Sequence, residues 1–382
     1  MTDEKKLDRR DFMKCSCAAG GGLLLATPIG AMAADAPKEN VKSRGYAAID
    51  TSGKLVPWPV GDHDILIDIK YASICHSDIH QEKGHWGPQK YPQVPGHEIV
   101  GIVAAVGSKV TRFKVGDRAG VGCMVNSSLE NLDHVTNEEQ YTPGTVFTYG
   151  YPEKDSPTGI SQGGYSTNIV VRDHFAVHIP EHISFQEAAP LLCAGITTYS
   201  PLMKAQLKKG MKVGVAGIGG LGHMAVKIAV SKGAEVYALT TSASKVQDIL
   251  GFGAKEVIVV DDLGKLGAYQ GTLDYMISTI PYQYNVAAYV ALVKPYGTFC
   301  QVGMPERFEV TLNALGLAAS RVNFNASLIG GMKETQEVVD YCADHKLLPQ
   351  IQIIRAEQIN AAWESVVNKK ARYRYVIDAA SF

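Results

Sequence analysis

The sequence of 382 residues lacks any large excess of charge of one sign, since 37 Lys and Arg residues balance 38 Asp and Glu residues. A chain without a basic face gives no reason to expect binding to nucleic acid. Cysteine is also scarce, and seven scattered residues are too few for a disulfide scaffold at this length. In other respects the composition is that of an ordinary globular protein, and the chain is long enough for two domains with separate cores.

The N-terminus has the pattern of an export signal. Asp8-Arg9-Arg10-Asp11-Phe12 is followed by a Gly-rich apolar stretch from Cys15 to Ile29 and by small residues at Ala31-Met32-Ala33. This combination predicts a twin-arginine signal peptide over residues 1–34, and therefore an interaction with the twin-arginine export machinery and a periplasmic location. The alternatives are a tail with a chance arginine pair and, less favoured because the apolar stretch is short and contains three glycines, a permanent membrane anchor.

Hydrophobic patterning divides the rest of the chain into two parts. Residues 41–121 contain short alternating or β-branched runs, such as Asp64–Ile69 and Glu98–Val106, between frequent Pro and Gly residues. This texture predicts an irregular β-barrel. After about Glu187, predicted strands alternate with helices, which indicates a doubly wound parallel sheet. The strands are expected at 211–216, 235–240, 256–260, 275–280 and 298–302, and the helices at 223–232 and 243–250.

A glycine-rich loop follows the first of these strands. Gly217-Ile218-Gly219-Gly220-Leu221-Gly222 is a G-x-G-x-x-G sequence between a predicted strand and a predicted helix. The pattern alone is weak, but this context is typical of a dinucleotide site, where glycines allow a tight turn and close approach to the pyrophosphate. We therefore expect Gly217, Gly219, Gly220, Leu221 and Gly222 to bind a nicotinamide dinucleotide.

The end of the second strand predicts which cofactor is used. Thr240, Thr241, Ser242 and Lys245 stand where an NAD site usually has an acid, and the next acid is Asp248. Hydroxyls and a cation suit a 2′-phosphate, so the sequence favours NADP(H). The alternative is that these residues only end the strand and cap the next helix.

Potential metal ligands lie at three separate places. Cys75 follows an alternating strand, His97 and Glu98 lie in Pro95-Gly96-His97-Glu98, and Cys193 lies in Leu191-Leu192-Cys193-Ala194-Gly195. Any one of them alone is more often structural. Together, two thiolates, an imidazole and a carboxylate suit a catalytic zinc with one exchangeable position.

These motifs resemble the zinc-dependent medium-chain alcohol dehydrogenase family, and within it the cinnamyl-alcohol-dehydrogenase-like aldehyde reductases. The resemblance runs from Val41 to Asp378 and includes the segments Pro190–Tyr199, Gly330–Thr335 and Arg372–Asp378. It implies an α/β fold in which a GroES-like β-barrel catalytic domain (40–190 and 331–382) is joined to a Rossmann cofactor-binding domain (191–330). It also implies a homodimer.

The resemblance assigns roles to individual residues. Cys75, His97 and Cys193 would bind zinc, with Glu98 exchanging on and off the metal and Asp78 orienting the imidazole of His97. The activity implied is reversible hydride transfer between NADPH and an aldehyde. The remaining assignments are Ser77 and His80 as the proton relay, with His80 titrating near neutral pH, and His76 and Arg374 near the cofactor phosphates.

One region departs from the family pattern. Members usually carry four closely spaced cysteines for a structural zinc, whereas residues 124–140 contain none. We therefore expect one zinc per chain. Two other functions stay open from the sequence: an NAD-linked polyol-type dehydrogenase, disfavoured by the missing acid near Thr241, and a non-catalytic nucleotide-binding redox sensor, disfavoured by the intact ligand set.

Overall fold

The computed structural model describes residues 60–127, 138–154, 156 and 158–382. The predicted export signal (1–34) lies outside the described residues. The strands are β1 Asp64–Ser73, β2 Ile99–Val106, β3 Arg118–Val121, β4 Met124–Asn126, β5 Val146–Phe147, β6 Asn168–Arg172, β7 Ala176–His178, β8 Lys212–Ala216, β9 Glu235–Thr240, β10 Glu256–Val259, β11 Leu273–Ser278, β12 Val293–Gln301, β13 Asn323–Ala326, β14 Ile351–Ile354 and β15 Arg374–Asp378.

The α-helices of the described residues are mostly short. They are α1 His76–Glu82, α2 Phe185–Ala188, α3 Ala194–Lys204, α4 Gly222–Ser231, α5 Val246–Gly251, α6 Val286–Val290, α7 Ala314–Ser320, α8 Met332–Asp344 and α9 Ile359–Val367. Within these residues, none is long and apolar enough to cross a lipid bilayer.

The first sheet forms the barrel-like domain. Its strands follow the order β14-β15-β1-β2-β3-β7, with β6 also paired to β1, so the C-terminal strands β14 and β15 complete a sheet begun by β1. The alternation predicted for β1 is observed only in part: Ile65 and Ile67 are fully buried and Asp68 is partly exposed, but Leu66, expected on the outer face, is also buried with 7% exposure. Residues 71–73 at the end of β1 pair with β15, which places Arg374, at the start of β15, close to Ile74.

The second sheet is parallel and has the order β10-β9-β8-β11-β12-β13. Counted from β8 this is the order 3-2-1-4-5-6, which places a ligand crevice at the carboxyl end of β8, where the strand order reverses. The helix predicted at 223–232 is observed as α4. The helix predicted at 243–250 is instead a 3₁₀ turn, Ala243–Lys245, followed by α5.

Candidate active site

Four potential metal ligands from distant parts of the chain meet between the two sheets. Cys75 lies between β1 and α1, His97 and Glu98 immediately precede β2, and Cys193 immediately precedes α3. All four side chains are buried, and one ligand atom from each lies within 4.8 Å of the others. The structure therefore brings together the complete set of residues predicted as metal ligands.

The spacing of these donors fits a zinc ion. The Sγ atoms of Cys75 and Cys193 are 3.8 Å apart, and two thiolates held about 2.3 Å from a tetrahedral zinc would be separated by about 3.8 Å. The Nδ1 atom of His97 lies 3.1 Å from Oδ1 of Asp78, which leaves the other ring nitrogen for the cluster. Two thiolates and one imidazole leave an open position, as in a catalytic zinc site.

Asp78 is held by donors that the sequence did not identify. The hydroxyls of Tyr149 and Tyr165 donate hydrogen bonds of 2.6 and 2.9 Å to its carboxylate, and the backbone N–H of Cys75 donates a third of 2.9 Å. Burial lowers the pKa of His97, but the Asp78 carboxylate, together with the thiols of Cys123 and Cys75, raises that pKa well above its usual value. The two tyrosines thus fix the carboxylate that orients the imidazole, as outer partners do in metal sites.

Glu98 is paired with a cation. The Nη2 atom of Arg374 lies 2.9 Å from Oε1 of Glu98, without the alignment of a hydrogen bond, and Nη1 donates to the carbonyl oxygen of Ile74 at 2.8 Å. Burial raises the pKa of Glu98 to about 7, although Arg374 opposes the shift. Movement of Glu98 onto a metal would require this ion pair to open.

The glycine loop has the backbone geometry of a dinucleotide site. Gly217 has a φ of +84°, a conformation that side chains disfavour. A Cβ atom on Gly222 would lie 2.1 Å from the carbonyl oxygen of Gly217, whereas one on Gly219 would meet open space. Gly217 and Gly222 therefore allow the turn and the tight packing behind it, while Gly219 faces the cavity, where a pyrophosphate fits beside the start of α4.

The residues that follow β9 surround a pocket with two cationic side chains, of which the sequence predicted only Lys245. Thr240, Thr241, Ser242 and Lys245 all line the cavity, and the buried hydroxyl of Thr240 accepts a hydrogen bond from the backbone N–H of Ser242. Burial, followed by the proximity of Arg372, lowers the pKa of Lys245 to about 8.

Arg372 is the second cationic side chain of this pocket, which the sequence did not predict. Its Nη2 atom donates to the carbonyl and hydroxyl oxygens of Ser244, at 3.1 and 2.9 Å, and within the described residues its Nη1 atom has no hydrogen-bond partner. The Arg372–Asp378 motif contained it, but only the folded chain shows that this segment lies against Ser244 and, at 3.7 Å, against Asp248. A guanidinium with a free N–H group, close to the ammonium group of Lys245, suits the binding of a phosphate.

The proposed relay residues Ser77 and His80 line the same cavity, together with His76. Burial, with His80 next, lowers the pKa of His76 to about 4. Burial, with His85 next, also lowers the pKa of His80. The imidazole of His76 is therefore neutral at pH 7.

One cavity of about 590 Å³ connects these groups. Its wall is formed by the metal cluster, the glycine loop and the strand-end pocket, so a carbonyl near Cys75 and a dinucleotide along Gly219 would lie in the same cleft. Aromatic side chains from both domains complete the wall: Trp86, Phe147, Tyr151, Tyr282 and Phe308.

Two family models match this chain, one in each of its two domains. The model described as the alcohol dehydrogenase GroES-like domain matches residues 61–181, and the zinc-binding dehydrogenase model matches residues 220–344. The NADP-dependent alcohol dehydrogenase C 1 of Mycolicibacterium smegmatis is 46% identical over 325 residues, which cover 84% of this chain and 92% of that protein. The chain belongs to the zinc-binding alcohol dehydrogenase family.

Solved structures agree with this family. A cinnamyl alcohol dehydrogenase from Sorghum bicolor is 36% identical with a TM-score of 0.83, covering 88% of this chain and 98% of that one. CAD from Helicobacter pylori, complexed with NADP(H), is 42% identical with a TM-score of 0.80, covering 85% and 93%. The family resemblance and the GroES-like plus Rossmann fold predicted from the sequence are therefore confirmed.

The absence of a second zinc stays a prediction. The cysteine-free stretch at 124–140 lies partly outside the described residues. Cys123, the nearest cysteine in sequence, lines the active-site cavity, with its Sγ atom 3.9 Å from the carbonyl oxygen of Leu192. Its position connects it with the catalytic cluster rather than with a separate metal lobe.

Proposed function

We propose that this chain is a zinc-dependent aldehyde reductase that transfers a hydride reversibly between NADPH and an aldehyde carbonyl. The observation that carries the proposal is the single cavity shared by the Cys75–His97–Cys193 cluster and the dinucleotide loop. Relatives that include NADP-dependent alcohol dehydrogenases confirm the predicted enzyme class. They do not support the NAD-linked polyol dehydrogenase or the non-catalytic sensor.

The chain's own residues hold and orient the reactants. Cys75, His97 and Cys193 bind the metal, and Asp78 fixes the ring of His97 through Nδ1. When bound, zinc supplies a Lewis acid for the carbonyl oxygen and the nicotinamide supplies the hydride. The apolar wall excludes water from the reacting carbon, which keeps these electrostatic interactions strong.

The reduced product needs a proton, and Ser77 and His80 are placed to deliver it. Ser77 lies beside the metal cluster, with its Oγ 3.6 Å from the Sγ of Cys75. Its hydroxyl donates to the product oxygen and is reprotonated through His80, which lines the same cavity. Proton transfer by positioned groups of this kind typically contributes about 10²–10⁴-fold to a rate.

The strand-end pocket supports NADPH as the cofactor. Lys245 and Arg372 provide two cations beside the hydroxyls of Thr241, Ser242 and Ser244. A 2′-phosphate needs such donors, whereas an NADH site usually holds the ribose hydroxyl with a carboxylate, and residues 240–245 contain none.

The wall composition supports aromatic or extended apolar aldehydes as substrates. Trp86, Phe147 and Tyr151 offer flat apolar surfaces, and burial of a ring against them is favourable. Small hydrated aldehydes would leave this surface uncovered.

A cofactor and substrate panel tests the proposal. Purified protein is assayed with benzaldehyde, cinnamaldehyde and acetaldehyde, using NADPH and NADH in parallel, and Cys75→Ser is the matched metal-site control. Faster oxidation of NADPH with the aromatic aldehydes, lost in the control, is expected. The proposed activity would be contradicted if wild type showed no aldehyde-dependent oxidation of NADPH, or if Cys75→Ser oxidised NADPH as fast as wild type.

We also propose a homodimer formed through the edge of the parallel sheet. Strand β13 pairs only with β12 among the described strands, and helix α7 has no buried residue, with Leu315 79% exposed. A second copy would cover both features, because unpaired edges and exposed apolar helices favour association. Light scattering of wild type should give twice the chain mass, and Leu315→Glu should shift it toward the monomer.

Export to the periplasm by the twin-arginine machinery is a further proposal, supported by the N-terminal sequence alone. Replacement of Arg9 and Arg10 by lysine should retain the precursor in the cytoplasm. Wild-type protein found only in the cytoplasm with residues 1–33 intact would contradict it.

A further inference from the structure

One carboxylate lies beside the pocket that would take the 2′-phosphate. Asp248, the first acid after β9, lies in the first turn of α5, and Lys245 immediately precedes that helix. Side chains three positions apart on a helix are neighbours. Asp248 accordingly acts on Lys245: burial and then Arg372 lower the pKa of Lys245, and Asp248 opposes them. A free carboxylate here would repel a 2′-phosphate and compete with it for the two cations.

The carboxylate of Asp248 is held by the C-terminal segment of the chain. The hydroxyl of Tyr373 donates a hydrogen bond of 3.1 Å to its Oδ2 atom, and the Nε atom of Arg372 lies 3.7 Å from the same oxygen. Burial, with Asp248 next, raises the pKa of Tyr373, so the phenol keeps its proton at neutral pH and remains a donor. Both contacts direct Oδ2 toward residues 372–373.

The ring of Tyr373 is fixed by packing. Tyr373 is only 2% exposed. Its ring stacks on that of His223, with centroids 5.1 Å apart, and Phe252 contacts it in a T-shaped arrangement at 5.3 Å. Because the ring is held on these sides, its hydroxyl has a fixed position, and that position is beside Asp248.

The same ring lies against Lys245. The Nζ atom of Lys245 is 5.0 Å from the ring centroid of Tyr373, within the range of a cation–π contact. It donates its hydrogen bond to the carbonyl oxygen of Ile218 in the glycine loop, at 3.1 Å, rather than to Asp248. Tyr373 thus receives the cation on its face and the carboxylate at its hydroxyl, which keeps the two charges apart.

We propose that Tyr373 is a positioning residue for cofactor choice, whose hydroxyl, with Arg372, holds Asp248 away from Lys245 and from the 2′-phosphate of NADPH. This inference rests on the proposed use of NADPH and adds Tyr373 and Asp248 to the residues that determine it. It also makes cofactor choice depend on contact between the domains, because Tyr373 belongs to the barrel domain and Asp248 to the cofactor-binding domain.

The alternative role of this hydrogen bond is to dock the C-terminal segment on α5. The two roles differ in what happens when the charge of Asp248 is removed. If Tyr373 restrains a harmful carboxylate, loss of its hydroxyl matters only while Asp248 is charged. If the bond only docks the segment, removing that charge repairs nothing.

Cofactor titrations distinguish these roles. The Kd values of NADPH and NADH for the purified, zinc-containing protein are measured by nucleotide fluorescence at low salt, where charge effects are largest. The variants are Tyr373→Phe, which keeps the ring and removes the hydroxyl, Asp248→Asn, and the double variant. The matched control is Tyr269→Phe, which removes another tyrosine–carboxylate hydrogen bond of the cofactor domain, that of Tyr269 with Glu256, away from the cavity.

In Tyr373→Phe, the Kd for NADPH should rise by about threefold or more, the size of one partly exposed charge interaction, while the Kd for NADH is unchanged. Asp248→Asn alone should keep or raise the preference for NADPH, because it removes the repelling charge. In the double variant the preference should return at least to that of wild type. Added salt should reduce the defect of Tyr373→Phe, and Tyr269→Phe should match wild type.

An unchanged preference for NADPH in Tyr373→Phe would overturn the proposal. So would a loss of preference that Asp248→Asn does not restore in the folded double variant, since Tyr373 would then have the docking role alone. Equal affinities of wild type for NADPH and NADH would reject the cofactor assignment itself. Failure of wild type to reduce any aldehyde would reject the reductase function, and both of these results are seen without any Tyr373 variant.

Discussion

The guanidinium of Arg374 lies 2.9 Å from the carboxylate of Glu98, and its other side packs against Gly220 of the dinucleotide loop. A Cβ atom on Gly220 would approach the Nε atom of Arg374 to 2.6 Å. Arg374 therefore contacts both the metal cluster and the cofactor loop.

Replacement of Gly220 by alanine should displace Arg374 and destabilise the protein even without cofactor, by about 1–3 kcal/mol. Gly219→Ala is the matched control, because an added methyl there meets open space and should weaken only dinucleotide binding. Thermal unfolding of the two cofactor-free variants, together with NADPH titration, checks this. Equal melting temperatures for the two variants would contradict the packing argument.

The strand-end pocket predicts a cofactor switch. Thr241→Asp should repel the 2′-phosphate, and Arg372→Gln should remove a charge-assisted donor worth about 1.5–3 kcal/mol. Each change should lower kcat/KM for NADPH by about tenfold or more relative to that for NADH. Gln283→Ala, a change elsewhere in the cavity wall, is the control that should leave this ratio unaltered. A wild type that uses NADH as efficiently as NADPH would contradict the assignment.

The lowered pKa of Lys245 predicts a pH dependence of cofactor choice. With a pKa of about 8, Lys245 is a cation below that pH and neutral above it. The preference for NADPH over NADH in binding should therefore be full near pH 7 and fall as pH rises through about 8. Lys245→Met should lower the preference at pH 7 and abolish its change with pH. A ratio independent of pH in wild type would show that Lys245 does not bind the phosphate.

Zinc content is predicted to be about one equivalent per chain. Residues 124–140 contain no cysteine, and Cys123 lines the active-site cavity. Elemental analysis of dialysed protein measures this, with Cys193→Ser as the control that should contain almost none. A reproducible value of about two, with one zinc kept in Cys193→Ser, would reveal a second site.

The sequence predicted best those features that depend on neighbouring residues or on a recognisable motif. The strand before Gly217 and the ligands Cys75, His97 and Cys193 fall in this class: the strand is observed as β8, and the three ligands meet in one cluster. Tyr149, Tyr165 and Arg372 escaped prediction, because each acts on a residue more than seventy positions away.

Transfer of a deuterium label tests whether hydride transfer takes place at the Cys75–His97–Cys193 cluster. NADPH carrying deuterium at the reactive C4 position is incubated with an aromatic aldehyde and wild-type, zinc-depleted, zinc-restored or Cys75→Ser protein. The alcohol product should carry one deuterium on the former carbonyl carbon, and activity should be lost on zinc removal, regained on zinc addition and absent in Cys75→Ser. Alcohol without deuterium, or undiminished transfer by the zinc-depleted protein, would contradict it.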